Sequence, residues 1–164
     1  MNHYKKTKDK IHSWESMSFL RKQWKSSGLK VVFTNGCFDL IHLGHIDYLS
    51  KSADLGDKLI IAVNSDKSTK KLKGERRPLQ DEQSRMMILA SFSFVDAVVL
   101  FDEDTPYKII QELLPDIQVK GGDYSKEDVV GADIQKQHGG ELVILPYLEG
   151  YSTTGIEKKI LGEL

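Results

Sequence analysis

Five short apolar runs constrain this chain more than any other feature: Val31–Phe33, Leu59–Val63, Ala97–Phe101, Ile117–Lys120 and Leu142–Leu145. Val31–Phe33 and Leu59–Val63 are too short for a helix and apolar throughout, as strands buried on both faces are, and the other three read as further strands of the same kind of sheet. Helical patterns lie between them. Leu43–Leu55 turns Ile46, Leu49 and Ala53 inward, and Asp81–Ser91 has an acidic first turn. Thr105-Pro106 opens a helix that ends before Pro115. Lys126–His138 and Ser152–Leu161 complete the set. The basic, glycine-containing stretch Ser65–Pro78 reads as a loop with one helical turn. Buried strands alternating with helices predict an α/β three-layer sandwich around a five-stranded, mostly parallel sheet. Ligands of such sheets bind beyond the carboxyl ends of the strands. The loops after Phe33, Val63, Phe101, Lys120 and Pro146 are therefore the places to look for a site.

Ahead of the sheet, Met1–Lys10 carries four lysines and reads as a frayed tail. Ile11–Ser27 places Trp14, Met17, Leu20 and Trp24 on one helical face, for core or interface packing, with Gly28 as its stop. The division expected is residues 1–29 as tail and arm helix and residues 30–164 as the main domain. Lys plus Arg is 23 and Asp plus Glu is 24, a net charge of −1 that excludes a bulk nucleic-acid binder. One cysteine, Cys37, excludes an internal disulfide framework and reads as a small packed residue. A mean hydropathy of −0.36 and interrupted apolar runs predict no membrane span. The polar, basic opening predicts no leader and hence the cytoplasm.

The loop after the first strand is Thr34-Asn35-Gly36-Cys37-Phe38-Asp39-Leu40-Ile41-His42-Leu43-Gly44-His45. His42 and His45 are three apart, so a helical first turn puts both on one face. Helix N-terminal amides make an anion site, imidazoles there can donate to phosphate oxygens, and Gly44 permits close approach. Ser152-Thr153-Thr154 lies between the last strand and the last helix, as a second phosphate cradle or as plain N-capping. Lys70, Lys71, Lys73, Arg76 and Arg77 crowd one segment, where a charge run is usually a solvated face. Asp39 fits either a capped turn or a contact to a substrate hydroxyl. Asp66 fits either a structural role or a contact to a second substrate or to a metal's water shell. Lys120-Gly121-Gly122-Asp123 ends the fourth run, as a tight turn or as glycine backbone against a flat base. No G-x-G-x-x-G follows the first strand, which excludes a nicotinamide-binding module.

Gly36 to His45 resembles the G-x-F-D-x-x-H-x-G-H signature of the cytidylyltransferase-like nucleotidyltransferases. Glu149-Gly150-Tyr151-Ser152-Thr153-Thr154 is similar to a second signature of that family, with Tyr151 in place of the usual Ile. The resemblance spans about Val31–Leu161. More narrowly, Val63-Asn64-Ser65-Asp66, Leu72-Lys73-Gly74, Arg77-Pro78 and Val119 to Tyr124 resemble the adenylyltransferase half of bacterial bifunctional heptose kinase/adenylyltransferases. The resemblance implies a Rossmann-like fold of the nucleotidyltransferase type. It implies catalytic roles for His42, His45, Lys73, Arg85 and Thr153, the lysine and arginine neutralising β- and γ-phosphates. Nucleotide contacts are implied for Thr34, Asn35, Gly36, Cys37, Phe38 and Gly44, for Lys120, Gly121, Gly122 and Asp123, and for Ser152, Thr153 and Thr154. Asp39 and Asp66 become candidate substrate-binding residues. No side chain is assigned to a metal, because Mg²⁺ would be held mainly through nucleotide phosphates. The implied reaction is adenylyl transfer from ATP to D-glycero-β-D-manno-heptose 1-phosphate, giving ADP-heptose for lipopolysaccharide core assembly. The implied partners are ATP and a sugar 1-phosphate supplied by a separate heptose kinase, with homo-oligomerisation left open. The alternatives are a glycerol-3-phosphate or other cytidylyltransferase, and a non-catalytic nucleotide-binding regulatory domain.

Overall fold

The computed structural model describes residues 2–163. In chain order the elements are α1 (His3–Lys8), β1 (Ile11–His12), α2 (Trp14–Ser26), β2 (Val31–Gly36), α3 (Leu43–Ala53), β3 (Lys58–Asn64), α4 (Asp66–Lys73), α5 (Glu82–Ala90), β4 (Ala97–Phe101), α6 (Tyr107–Leu113), β5 (Ile117–Gly121), α7 (Ala132–His138), β6 (Glu141–Leu145) and α8 (Thr153–Ile160). The sheet order is β1-β4-β3-β2-β5-β6, and every pairing is parallel.

The sheet has six strands rather than the five expected. The additional strand, β1, is drawn from residues assigned to the arm helix, and it pairs Ile11 with Val98 and His12 with Val99. The helix starts at Trp14, three residues later than expected, behind the N-cap Ser13, whose side chain accepts the Ser16 N–H at 3.2 Å. The tail forms α1, capped by the Asn2 side chain on the Lys5 N–H at 3.0 Å. Ser65–Pro78 holds the two-turn helix α4 rather than a loop, because the Ser65 hydroxyl caps the Ser68 N–H at 3.0 Å. Lys126–His138 divides into a 3₁₀ turn, Lys126–Asp128, and α7.

Alternating residues of each strand feed two apolar layers. Val31, Phe33, Ile60, Ala62, Ala97 and Val99 pack with Met17 of α2, Ile109 and Ile110 of α6 and Ile134 of α7. Val32, Ile61, Val63, Val98 and Val119 pack with Leu49 of α3 and Met86 and Leu89 of α5. Trp14, Leu20 and Trp24 lie against the first layer, as their spacing predicts. Burial on both faces is what a central parallel sheet requires.

The chain runs outward from β2 through β3 to β4, then returns to β5 on the other side of β2. That reversal is the switch point where α/β sheets bind ligands. β2 and β3 share a register of six pairs, whereas β2 and β5 pair only at Val32–Ile117 and Phe33–Gln118. Beyond those pairs the strands diverge. The Tyr48 hydroxyl of α3 spans the gap, 2.6 Å from Thr34 Oγ1 and donating to the Val119 carbonyl at 3.1 Å.

Candidate active site

A cavity of about 550 Å³ opens at this divergence. Asn35, Gly36, Cys37 and Phe38 line it from the end of β2, and Lys120 and Gly121 line it from the end of β5. His45 comes from α3, Lys73 from the end of α4, and Thr153 and Thr154 from the start of α8. Chain segments more than 100 residues apart thus meet around one space, as the expected site requires.

The two histidines form a stacked pair, with ring centroids 3.9 Å apart and planes tilted by 33°. His42 is the N-cap of α3 and stands behind His45, which lines the cavity. A Cβ on Gly44 would come within 3.1 Å of the His42 ring and 3.3 Å of Tyr151 Cβ. Glycine is therefore what lets the ring fold back over the helix start. The Phe38 ring meets His45 edge-on at 5.6 Å, from a backbone at φ 51°. A bulky side chain rarely adopts that conformation, and held strain of this kind clusters at functional sites. Both His Nδ1 atoms are buried without a hydrogen-bond partner among the described residues. Burial, and then the His42 charge, push the His45 pKa down to about 4, and burial also lowers His42. Both rings are thus neutral near pH 7.

Lys120 and Lys73 supply positive charge. Burial first, opposed by Cys37 and reinforced by Lys73, holds Lys120 below the usual lysine range. Two ammonium groups close enough to interact, one of them desolvated, make a site that gains from an anion. Lys120 Nζ also lies 5.6 Å from the Tyr124 ring centroid. A Cβ on Gly121 would come within 2.9 Å of the Tyr147 ring and 3.2 Å of Tyr48. The β5 terminus is therefore a bare strip of backbone edged by aromatic rings. Ser152 caps α8, accepting the Gly155 N–H at 3.0 Å, and so fixes the helix start that presents Thr153 and Thr154.

Four expected residues have other work. Arg85 is fully buried, off the cavity wall, and donates to the carbonyls of Gln80, Cys37 and Asn64 and to Asp66 Oδ1 at 2.8 Å. Four of its five N–H groups are so engaged, and it braces the site from behind. Asp66 likewise does not reach the cavity, because its carboxylate faces Arg85. Thr34 is fully buried on Tyr48. Asp39 is on the wall, but its carboxylate already accepts from Arg77 at 2.6 Å and from the Leu79 and Gln80 N–H groups at 2.9 Å. Backbone donors and the Arg77 guanidinium outweigh burial and hold it below the usual carboxylate range. Gly122 and exposed Asp123 flank the wall without lining it. Tyr48, Tyr147 and Asp104 also line the wall with no sequence signal, and Asn64 and Tyr124 line it from within segments quoted above without a role. Only the fold brings them there.

A doubly wound sheet with a histidine pair, lysines and a helix N-terminus at its switch point is the framework of a nucleotidyltransferase. Residues 33–156 match the cytidylyltransferase-like family model, and the chain belongs to that family. It is 46% identical over 161 residues to the bifunctional protein HldE of Wolinella succinogenes, covering 98% of this chain and 33% of that protein. It is 53% identical over 136 residues to the HldE protein of Azorhizobium caulinodans, covering 83% of this chain and 28% of that one. The chain therefore spans about a third of the length of these curated relatives. The lipopolysaccharide core biosynthesis protein of Thermoplasma volcanium superposes with a TM-score of 0.62 at 32% identity, over 74% of this chain and all of that one. Pantoate-β-alanine ligase of Francisella tularensis, solved with β,γ-ATP and β-alanine, shares the fold at a TM-score of 0.61 and 16% identity, over 94% of this chain and 78% of that one. No helix among the described residues is long and apolar enough to cross a membrane.

Proposed function

We propose that the chain transfers the adenylyl group of ATP to D-glycero-β-D-manno-heptose 1-phosphate, giving ADP-heptose and pyrophosphate for lipopolysaccharide core assembly. The observation that carries this reading is 46–53% identity to bifunctional HldE proteins over 83–98% of the chain. An acceptor phosphate oxygen attacks the α-phosphorus, the bond from that phosphorus to the bridging oxygen breaks, and pyrophosphate leaves with the electron pair. The acceptor is already an anion, so no base has to activate it and no covalent enzyme intermediate is needed. The chain's task is to position two anions and to hold charge on the leaving phosphates. In this reading His45 holds phosphate oxygens with the His42 ring stacked against it, Lys73 and Lys120 neutralise the leaving group, and Thr153 with the first amides of α8 closes the other side. Among the described residues no group of three or more His, Cys, Asp or Glu could hold a metal. In this reading Mg²⁺ comes in on the nucleotide phosphates and would offset their charge. A heptose kinase supplies the acceptor, and the reaction belongs to the cytoplasm.

The test is pyrophosphate release with ATP or CTP, and with heptose 1-phosphate or free heptose. ATP with heptose 1-phosphate should turn over, and EDTA should stop it. A preference for CTP would move the chain to cytidylyl transfer. Formation of ADP from free heptose would show the wrong reaction has been assigned.

A further inference from the structure

Resting on the reading of this cavity as a triphosphate site, we propose that Arg77 is a positioning residue for nucleotide binding, which acts by tying α8 to the histidine loop. α8 presents Thr153 and Thr154 to the cavity, yet none of its residues is buried. An apolar face does not hold it down. Among the described residues its one ionic link to the body is Glu157, which pairs with Arg77 Nη2. The other arm of the same guanidinium, Nη1, donates to Asp39 Oδ2 at 2.6 Å. Asp39 is itself fixed by the Leu79 and Gln80 N–H groups, and the Gln80 side chain returns a hydrogen bond to the Asp39 carbonyl. One guanidinium fork therefore joins three segments: the loop that leads to His42 and His45, the 77–80 turn, and α8.

Arg77 lines the cavity, so a direct phosphate contact is the rival role. Its partners argue against that. Two carboxylates, on side chains only 7% and 31% exposed, face this one cation. The trio carries a net negative charge and attracts no anion. Lysine would substitute only in part, because a single ammonium lacks the planar fork that meets two carboxylates in fixed directions.

If nucleotide binds only the docked arrangement of α8, loosening α8 lowers apparent affinity by the docked fraction. Saturating nucleotide then redocks the helix, so KM rises while kcat holds. The two roles also predict opposite signs at Glu157. Removing Glu157 undocks α8 if Arg77 positions it, but frees a cation for phosphate if Arg77 is a ligand.

The experiment combines steady-state kinetics with hydrogen exchange of the α8 amides in the ligand-free protein, for Arg77→Ala, Arg77→Lys, Glu157→Ala and the Arg77→Ala/Glu157→Ala pair. Loss of a charge-assisted contact should raise triphosphate KM about tenfold and speed α8 exchange about as much. Glu157→Ala should match Arg77→Ala, the pair should be no worse than either, and Arg77→Lys should fall between. An unchanged or lowered KM in Glu157→Ala, or α8 exchange equal to wild type, would overturn the proposal. Glu157 sits on the exposed helix, so its variant remains informative if Arg77→Ala fails to fold. The exchange arm needs no substrate, and its outcome is independent of which nucleotide or acceptor the enzyme uses.

Discussion

Acid should destabilise this protein through His45. Its pKa falls from 6.5 to about 4 in the folded chain, through burial first and the His42 charge second. The unfolded chain takes up a proton at its ordinary value, whereas the folded chain does not until about 4. Between those values the unfolded state holds more protons, so stability is complete above about pH 6.5 and drains away as pH falls toward 4. At about 1.4 kcal/mol per pH unit the upper bound is roughly 3 kcal/mol. Partial exposure of the ring reduces the expected loss to about 1–2 kcal/mol. Urea denaturation at about pH 7 and about pH 4.5, for wild type and His45→Gln, reads this directly. Carboxylate titration is common to both proteins, so the difference between their two losses isolates His45. Wild type should lose about 1–2 kcal/mol more. Equal losses would refute the buried neutral imidazole.

The same ring should couple nucleotide to protons. A triphosphate brought against His45 favours the charged imidazole and reverses the depression. Binding at about pH 6 should take up protons, visible as a dependence of calorimetric enthalpy on buffer ionisation, and His45→Gln should abolish it.

Three further outcomes follow from the geometry. His42→Ala and His45→Ala should each lower kcat about 10²-fold or more with little change in melting temperature, the size expected for losing one charge-stabilising donor. Arg85→Ala should act on stability instead, by about 3 kcal/mol or more in urea denaturation, because it strands three carbonyls and the Asp66 carboxylate. Deleting residues 1–13 removes β1 and the Lys10 carbonyl that accepts the Val98 N–H at 2.8 Å, leaving β4 as a bare sheet edge. The shortened chain should melt earlier and self-associate in light scattering, as unprotected edges do.

The sheet was legible because a strand buried on both faces is apolar throughout, as Val31–Phe33 and Leu59–Val63 are, and because further short strands alternate with helices after them. β1 was not legible. Two residues carry no period, and Ile11 joins equally well to the helical stripe that follows it. Only the Ser13 cap marks the break. α4 was hidden for the opposite reason. Asp66–Lys73 has one large apolar residue, Leu72, and its inner face is built from Ser68 and Thr69, which are buried through hydrogen bonds and not by apolar area. Periodicity arguments see neither. His45, Lys73 and the α8 threonines, singled out in the sequence, do meet at one cavity, because two of the three segments are helix starts, which carry a local sequence signature.

Which cations meet the ligand could not be read locally. Lys73, Arg77 and Lys120 stand in the quoted motifs and Arg85 on the helix that follows, and all bear the same charge. What separates them is the supply of acceptors around each head group. Arg85 emerges from α5 beside the ends of β2 and β3, and its fork satisfies the Cys37 and Asn64 carbonyls there. Arg77 meets two carboxylates from different segments. Lys73 ends a helix in solvent, and Lys120 faces a ring with no ion pair among the described residues. The planar five-donor groups thus brace the walls, while the point charges stay open to the cavity, as their donor geometry dictates. A cation is available to phosphate only where the fold leaves it short of acceptors, and that shortage is a property of three dimensions.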